Sequence, residues 1–407
     1  MEAAKAAAQV PSSVKEVLRV LSEAGHHAVV VGGAVRDLVL DLKPGDFDVA
    51  TSALPEEVMA LFPHTVPTGI KHGTVTVVMD EGGKHHPVEV TTFRVEGEYK
   101  DGRRPHQVSF VRELREDLSR RDFTVNALAL VLWPTPRLED PFGGLGDLRA
   151  GRLRTVGDPM HRFGEDGLRA VRAARFAAQL ELTAVAGLED AMRQTIPIVR
   201  KVAPERYLQE LKKLFEKARA PSVGLKMLQR TGLLEVVAPG APGDEASLTR
   251  PDRARDPTVR WAAWLWDAGR HGAHATLKAL KASNQHQVDV AALCSLPRPA
   301  TLPHATDAQL RQLLRTVGRA RLEWLRELWS LEGGAPLAQR MSDVVARGYV
   351  ENASELAVDG NQVSAWSDAR GKALGELLAT LVRRVDENPE LNQPEALRAL
   401  VTELKPS

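Results

Sequence analysis

Residues Val29–Thr51 read VVVGGAVRDLVLDLKPGDFDVAT, and their interpretation decides the fold. Ala28 to Val31 is a β-branched run, the mark of a buried strand. Gly32 and Gly33 let the backbone turn and leave amide N–H groups uncovered. Ala34 to Leu42 reads as a short helix, so those amides stand at a helix N-terminus, where anions bind. Asp46-Phe47-Asp48-Val49 then alternates polar and apolar residues. On a strand, residues i and i+2 face the same side. Asp46 and Asp48 are therefore expected to project together, with Phe47 and Val49 in the core. Two parallel carboxylates repel unless a cation lies between them, and hard oxygen ligands suit Mg²⁺. An anion cradle beside a divalent-metal site fits a nucleoside triphosphate. A lone D-x-D pair is also common on exposed strand faces, so the rest of the chain must decide.

The 407 residues are 43% hydrophobic, enough for sizeable cores and two to four domains. Cys294 is the single cysteine, so no intrachain disulfide forms, and a reducing cytoplasm is the expected location. The opening MEAAKAAAQVPSS lacks the apolar run of a signal peptide. No stretch of about 18 apolar residues occurs, so no membrane association is expected. A net charge of +1 means that any nucleic-acid surface is local. No protein partner is evident.

Residues 14–148 mix strands and turns: Thr74–Met79, His86–Phe93 and Gln107–Val111 alternate as strands do. From about residue 151 the apolar spacing turns helical. Ala238–Pro257 is rich in Pro, Gly and Asp and reads as a linker, and the chain beyond it is helical. The fold class expected is α+β: a mixed head with a small antiparallel-type sheet, then an all-helical remainder.

Several stretches carry chemistry. Glu89 supplies a third carboxylate if its strand neighbours that of Asp46 and Asp48; otherwise it marks the polar face of a half-exposed strand. In LSRRDFTVNALAL (Leu118–Leu130), Arg120 and Arg121 precede Asp122 and an expected helix with Phe123, Val125, Ala127 and Leu128 on its apolar positions. Arginine at a helix start opposes the helix dipole. A phosphate or ribose would justify it, as would a salt-bridged surface turn. Glu139–Pro159 holds Gly143, Gly144, Gly146, Gly151 and Gly157 and reads as a turn-rich hinge. In GEDGLRAVRAARFA (Gly164–Ala177), Asp166 and Arg169 are three apart on one expected helical face. They form either an intrahelical ion pair or a hydrogen-bonding edge. As an edge, the carboxylate accepts from an exocyclic amine and the guanidinium donates to ring acceptors. Cytosine and adenine match that edge, while uracil and guanine leave it unpaired. Seven arginines against three acids between Arg149 and Arg175 make the region locally basic, Arg172 and Arg175 among them.

Taken together, these stretches resemble the class II, bacterial-type tRNA nucleotidyltransferases of the polymerase β superfamily, which comprise CCA-adding enzymes and poly(A) polymerases. A G-G-x-V-R-D and D-x-D motif matches Gly32, Gly33, Val35, Arg36, Asp37, Asp46 and Asp48. R-R-D-F-T-x-N-A matches Arg120 to Ala127, and a spring element ending in G-D-L matches Asp140 to Leu148. E-D-x-x-R matches Glu165, Asp166 and Arg169, and a fifth motif resembles Glu205-Arg206 and the helix after it. The resemblance implies that Asp46 and Asp48 hold two Mg²⁺ ions and that Gly32, Gly33 and Arg36 contact the triphosphate. It further implies that Arg121, Asp122 and Asn126 bind phosphate and ribose, and that Asp166 and Arg169 read the base in place of a template. The expected substrates are the tRNA 3′ end, CTP and ATP. The expected parts are a head (14–148), neck (149–237), body (258–330) and tail (331–407).

Phe93–Val108 resembles the family's flexible loop, which a CC-only enzyme is expected to lack. The basic G-[RK]-[RK]-F segment of poly(A) polymerases is not found. Arg260–His274 resembles an HD phosphohydrolase turn with Trp266 in the place of its histidine. The alternatives are an A-adding enzyme acting on tRNA that ends in CC, a poly(A) polymerase, and a catalytically silent RNA-binding protein.

Overall fold

The computed structural model describes residues 2–81, 83–96 and 108–404. The chain separates into two compact units, one reaching Arg219 and including Val223–Val237, the other formed by Ala220–Ser222 and the chain from Ala238 onward.

The first unit is built on a seven-stranded sheet. Its strands are β1 (Ala28–Val31), β2 (Asp48–Thr51), β3 (Thr65–Gly69), β4 (Thr74–Glu81), β5 (Lys84–Thr92), β8 (Ala129–Val131) and β9 (Arg137–Glu139), and β6 (Arg94–Glu96) pairs with β7 (Val108–Phe110) as a separate ribbon. The order across the sheet is β3-β4-β5-β2-β1-β8-β9. The sheet is mixed rather than antiparallel throughout, because β2 and β5 run parallel. Between them the chain passes through the helix Pro55–Leu61, β3 and β4. Most of the expected loop at Phe93–Val108, residues 97–107, lies outside the described residues.

One face of the sheet presents Val29, Val31, Ala50, Ala129 and Val131 to a core completed by Phe93 and Leu118. The helix Ser12–Glu23 packs against β1, β4 and β5 through a buried stripe of Val14, Val17, Leu18 and Leu21. An i, i+3, i+4, i+7 spacing places those four on one helical face. Helices follow the sheet, among them Pro159–Glu165, Leu168–Gln179 and Pro204–Lys217.

Two local expectations differ. The apolar run after Asp122 is not a helix but a single 3₁₀ turn, Thr124–Asn126, leading into β8. Arg120 and Arg121 instead follow the C-terminus of the helix Leu114–Ser119, where cations suit the dipole. The helix expected across Gly164–Ala177 is broken: one helix ends at Glu165 and the next begins at Leu168.

The second unit is all helical, from Glu245–Thr249 to Pro394–Glu403. Trp261, Trp264 and Trp329 are fully buried in it, and a separate core near its end gathers Val350, Val363, Leu381, Val385, Leu397 and Val401. No helix among the described residues is long and apolar enough to cross a membrane.

Candidate nucleotide site

A cavity of about 550 Å³ opens in the first unit. Its floor carries Val31, Asp48 and Glu89 from the central strands. Its sides carry Arg36 and Asp37, the Asp117–Asn126 region, and the helices Leu168–Gln179 and Pro204–Lys217.

The parallel register aligns Asp48 directly with Glu89, which makes Glu89 the strand neighbour of an acid of the D-x-D pair. Val49, Val88 and Val90 face the other side and are buried, as alternation requires. Asp46 precedes the strand rather than lying on it, and Phe47 is only half-buried. Both line a second cavity of about 600 Å³ that shares Asp48 and Glu89 with the first. Phe47 thus lies outside the core, since the strand begins one residue after it. Among the described residues no three acid, His or Cys side chains are gathered closely enough to hold a metal. The donors nonetheless fit a hard divalent ion, because Asp48 and Glu89 offer carboxylate oxygens from adjacent strands. Burial pushes the Asp48 carboxyl above its ordinary value; the Arg121 guanidinium opposes this and the Asp46 charge adds to it.

The glycine turn works differently from the amide cradle. Gly32 has φ +76°, and a Cβ there would lie 2.6 Å from Arg121 Nη1. A side chain would expel the guanidinium that now rests against the turn. The Gly32 N–H is already committed, donating to the Leu128 carbonyl at 2.9 Å. Arg121 Nε is buried without a hydrogen-bond partner among the described residues, and the Asp117 carboxylate reaches Arg121 Nη2 only at 3.4 Å. Burial lowers the pKa of this guanidinium. A buried cation so thinly partnered fits an anion better than a structural salt bridge.

Asp122 is the hub of the next layer. It is buried, and it accepts from Arg172 Nε at 2.7 Å, Asn126 Nδ2 at 3.0 Å and the Phe123 N–H at 2.8 Å. Burial opposes its charge, but Arg172, Asn126 and Arg169 prevail and hold its pKa at about 2. Asn126 Oδ1 accepts from Arg36 Nη1 at 2.6 Å. Arg175 donates to the buried Glu210 at 2.5 Å and stacks 3.8 Å above the Phe176 ring, while Arg36 and Arg172 each lie 5.3 Å from that ring. Three arginines around one aromatic face form a rigid cationic wall.

Asp166 and Arg169 line the same cavity, joined by a backbone hydrogen bond from the Arg169 N–H to the Asp166 carbonyl at 3.0 Å, while each side chain is held by other residues. Asp166 occupies the break between the two helices and accepts the Leu168 N–H at 3.0 Å. Arg206 grips its two oxygens at 3.1 and 2.7 Å. Arg169 is held by the Glu165 carboxylate and by the carbonyls of Arg162 and Arg120, the latter at 3.0 Å. The break itself is set by packing: a Cβ on Gly167 would lie 2.7 Å from the Val199 backbone. Reasoning from sequence placed Arg206 in a motif without giving it a role, and it missed Glu210, which is buried and accepts from Arg175. Their signal was the helical stripe they share on Pro204–Lys217, four residues apart.

Arg260–His274 holds no such site. The Trp266 indole N–H donates to the Leu296 carbonyl at 2.8 Å, and Arg298 stacks 3.8 Å from its ring. The Asp267 carboxylate is taken by Arg298, by Arg250 at 3.0 Å and by Ser247 at 2.9 Å.

A model of the poly A polymerase head domain matches residues 28–154, and one of the RNA- and SrmB-binding site of polymerase A matches 187–243. A tRNA nucleotidyltransferase domain 2 model matches 253–401. The class that this fold and cavity define is a nucleotidyltransferase. A CCA-adding enzyme from Geobacillus stearothermophilus is 37% identical over 401 residues, 95% of each chain. One from Limosilactobacillus reuteri is 35% identical over 398 residues, 96% of each. The solved Bacillus stearothermophilus CCA-adding enzyme in complex with CTP superposes with a TM-score of 0.78 at 33% identity, covering 97% of this chain and 98% of that one. The Thermotoga maritima CCA-adding enzyme complexed with tRNA shares the fold, with a TM-score of 0.71 at 18% identity, covering 99% of this chain and 98% of that one. The chain belongs to the class II CCA-adding enzyme family of tRNA nucleotidyltransferases, a metal-dependent family.

Proposed function

We propose that this chain completes the 3′ end of tRNA with CCA, taking CTP and ATP in turn and reading each base with its own side chains. The observation that carries the reading is that one cavity joins Asp48 and Glu89 to the Asp166, Arg169 and Arg206 group. Reactive and base-selecting elements thus face a single bound nucleotide.

Arg121 at the glycine turn of Gly32 and Gly33, together with Arg36, receives the triphosphate. Asp122 and Asn126 keep Arg172 and Arg36 aimed into the cavity and bind the ribose, and Arg172 and Arg175 complete the cationic wall. Arg206 and the Leu168 N–H fix the Asp166 carboxylate, so that its less-engaged oxygen accepts from the exocyclic amine of C or A. Arg169, anchored on Glu165, supplies the donors. The metal assigned is Mg²⁺, held by Asp46 and Asp48 with Glu89 as the third carboxylate. When bound, it supplies activation of the RNA 3′-hydroxyl and charge neutralisation at the triphosphate. The 3′-oxygen displaces pyrophosphate from the α-phosphorus.

The chain divides into head (14–148), neck (149–237), body (258–330) and tail (331–407). The separate core between Val350 and Val401 supports the last of these. The single cysteine and a tRNA substrate support a cytoplasmic location.

Incubating tRNA lacking CCA, and tRNA ending in CC, with CTP and ATP separately and together tests the reading by product size. Addition of two C residues and one A is the expected result. Incorporation of ATP alone, onto CC ends only, replaces it with the A-adding alternative; an untemplated A tail replaces it with a poly(A) polymerase.

A further inference from the structure

The helix Pro204–Lys217 carries a stripe of Arg206, Glu210, Lys213 and Lys217, of which Arg206, Lys213 and Lys217 line the cavity. The first two are committed, Arg206 to Asp166 and Glu210 to Arg175. The last two are not. Lys213 and Lys217 are exposed, and among the described residues neither makes an ion pair or a hydrogen bond. They stand one turn apart, where like charges repel, so their placement favours a bound polyanion. By helical rise they lie about 10 and 16 Å along the axis from Arg206, beyond the base-reading group.

We propose that Lys213 and Lys217 hold the backbone phosphates of the RNA 3′ strand. This rests on the reading of the cavity as a nucleotidyl-transfer site. The incoming triphosphate has its own receptor in Arg121 at the glycine turn. The strand has a different requirement, since it lengthens by one nucleotide at each addition and its phosphates must re-seat. Arg36, Arg172, Arg175 and Arg206 are pinned by acceptors and specify one geometry. A lysine is a compact charge on a flexible stem and does not specify register. The cavity therefore combines locked arginines for the nucleotide with free lysines for a strand that moves.

The test compares the wild type, Lys213→Gln with Lys217→Gln, and Lys213→Arg with Lys217→Arg. Binding of tRNA ending in CC is measured without nucleotide between low and moderate salt. Kinetics are measured separately for tRNA and for CTP. In the Gln variant, binding should weaken at least tenfold at low salt. Its log–log salt slope should become shallower by about 1.4, the release expected for two single-strand phosphates. The KM for tRNA should rise while the KM for CTP stays within twofold, and the Arg variant should restore binding. A rise confined to the KM for CTP overturns the proposal in favour of the triphosphate, and an unchanged salt slope overturns it outright. A wild type that binds tRNA but transfers no nucleotide removes the functional reading, and the binding arm still decides the lysines.

Discussion

Each unit contains a network of arginines and carboxylates, and the two are put to opposite uses. In the first unit, Asp122, Arg172, Arg175 and Glu210 tie the helices Leu168–Gln179 and Pro204–Lys217 to the turn before β8, and Asp122, Arg172 and Arg175 still line a cavity. In the second, Arg250, Asp267, Arg298 and Glu332 close upon one another around the Trp266 indole. The residue types are the same, and what differs is the wall. Phe176 lines a cavity with arginines on it, whereas the equally buried Trp266 spends its N–H on a carbonyl. An ionic cluster marks a binding site when its cations have somewhere else to point.

The sharpest way to break this contrast is Asp48→Ala. Loss of an acid in the cavity floor should reduce CMP incorporation into tRNA at least about 1,000-fold, on the order of 4 kcal/mol. Thermal unfolding should show the fold retained. More than about a tenth of the wild-type rate would remove Asp48 from the catalytic centre.

Next comes Asp122→Asn, which takes the nearest counter-charge from the half-buried Arg172, leaving Glu210 at 3.6 Å, and should cost about 2 kcal/mol in urea unfolding. The pH dependence has a definite sign. The folded pKa of about 2 lies below the ordinary 3.8. The contribution of Asp122 is therefore fully present above about pH 4 and is lost as pH falls through about 2. The gap between wild type and variant should close over that window; a gap independent of pH would mean that packing, not charge, holds the hub.

Asp166→Ala should relax rejection of UTP and GTP by about 100-fold in kcat/KM, since the amine acceptor and its negative charge go together. Unchanged rejection would move base choice elsewhere in the cavity. The smallest effect belongs to the other network. Asp267→Asn should cost about 1 kcal/mol of stability, because its side chain is partly exposed, and should leave kcat/KM per folded molecule unchanged. A loss of turnover there would join the two networks functionally.

Much of the head was legible in its residues. Strands β4, β5 and β7 fall where alternation placed them, because a half-buried strand must alternate, and β1 falls where its β-branched run placed it. What was missed depended on partners far along the chain. Phe123–Leu128 is apolar at helical and at strand spacing alike, and its outcome was decided by the pairing of β8 with β1. The shared helical face of Asp166 and Arg169 failed at Gly167, where the Val199 backbone approaches too closely for any side chain. The Asp-Gly pair was itself a local turn signal. Arg206 is forty residues from the carboxylate it grips, and no local pattern reports such a contact.

The parallel pairing of β2 with β5 also sets an order of events. Asp48 and Glu89 become neighbours only after the intervening helix and hairpin have been threaded between them. Closing that span carries an entropic cost that grows with the logarithm of its length, and the two acids meet as like charges at the moment it closes. A head still emerging from the ribosome, or one with β5 undocked, has no paired acids in its floor. Pairing of these two acids is therefore expected among the late steps of folding. Refolding of the head should quicken as moderate salt screens the pair, with Asp48→Asn removing that dependence.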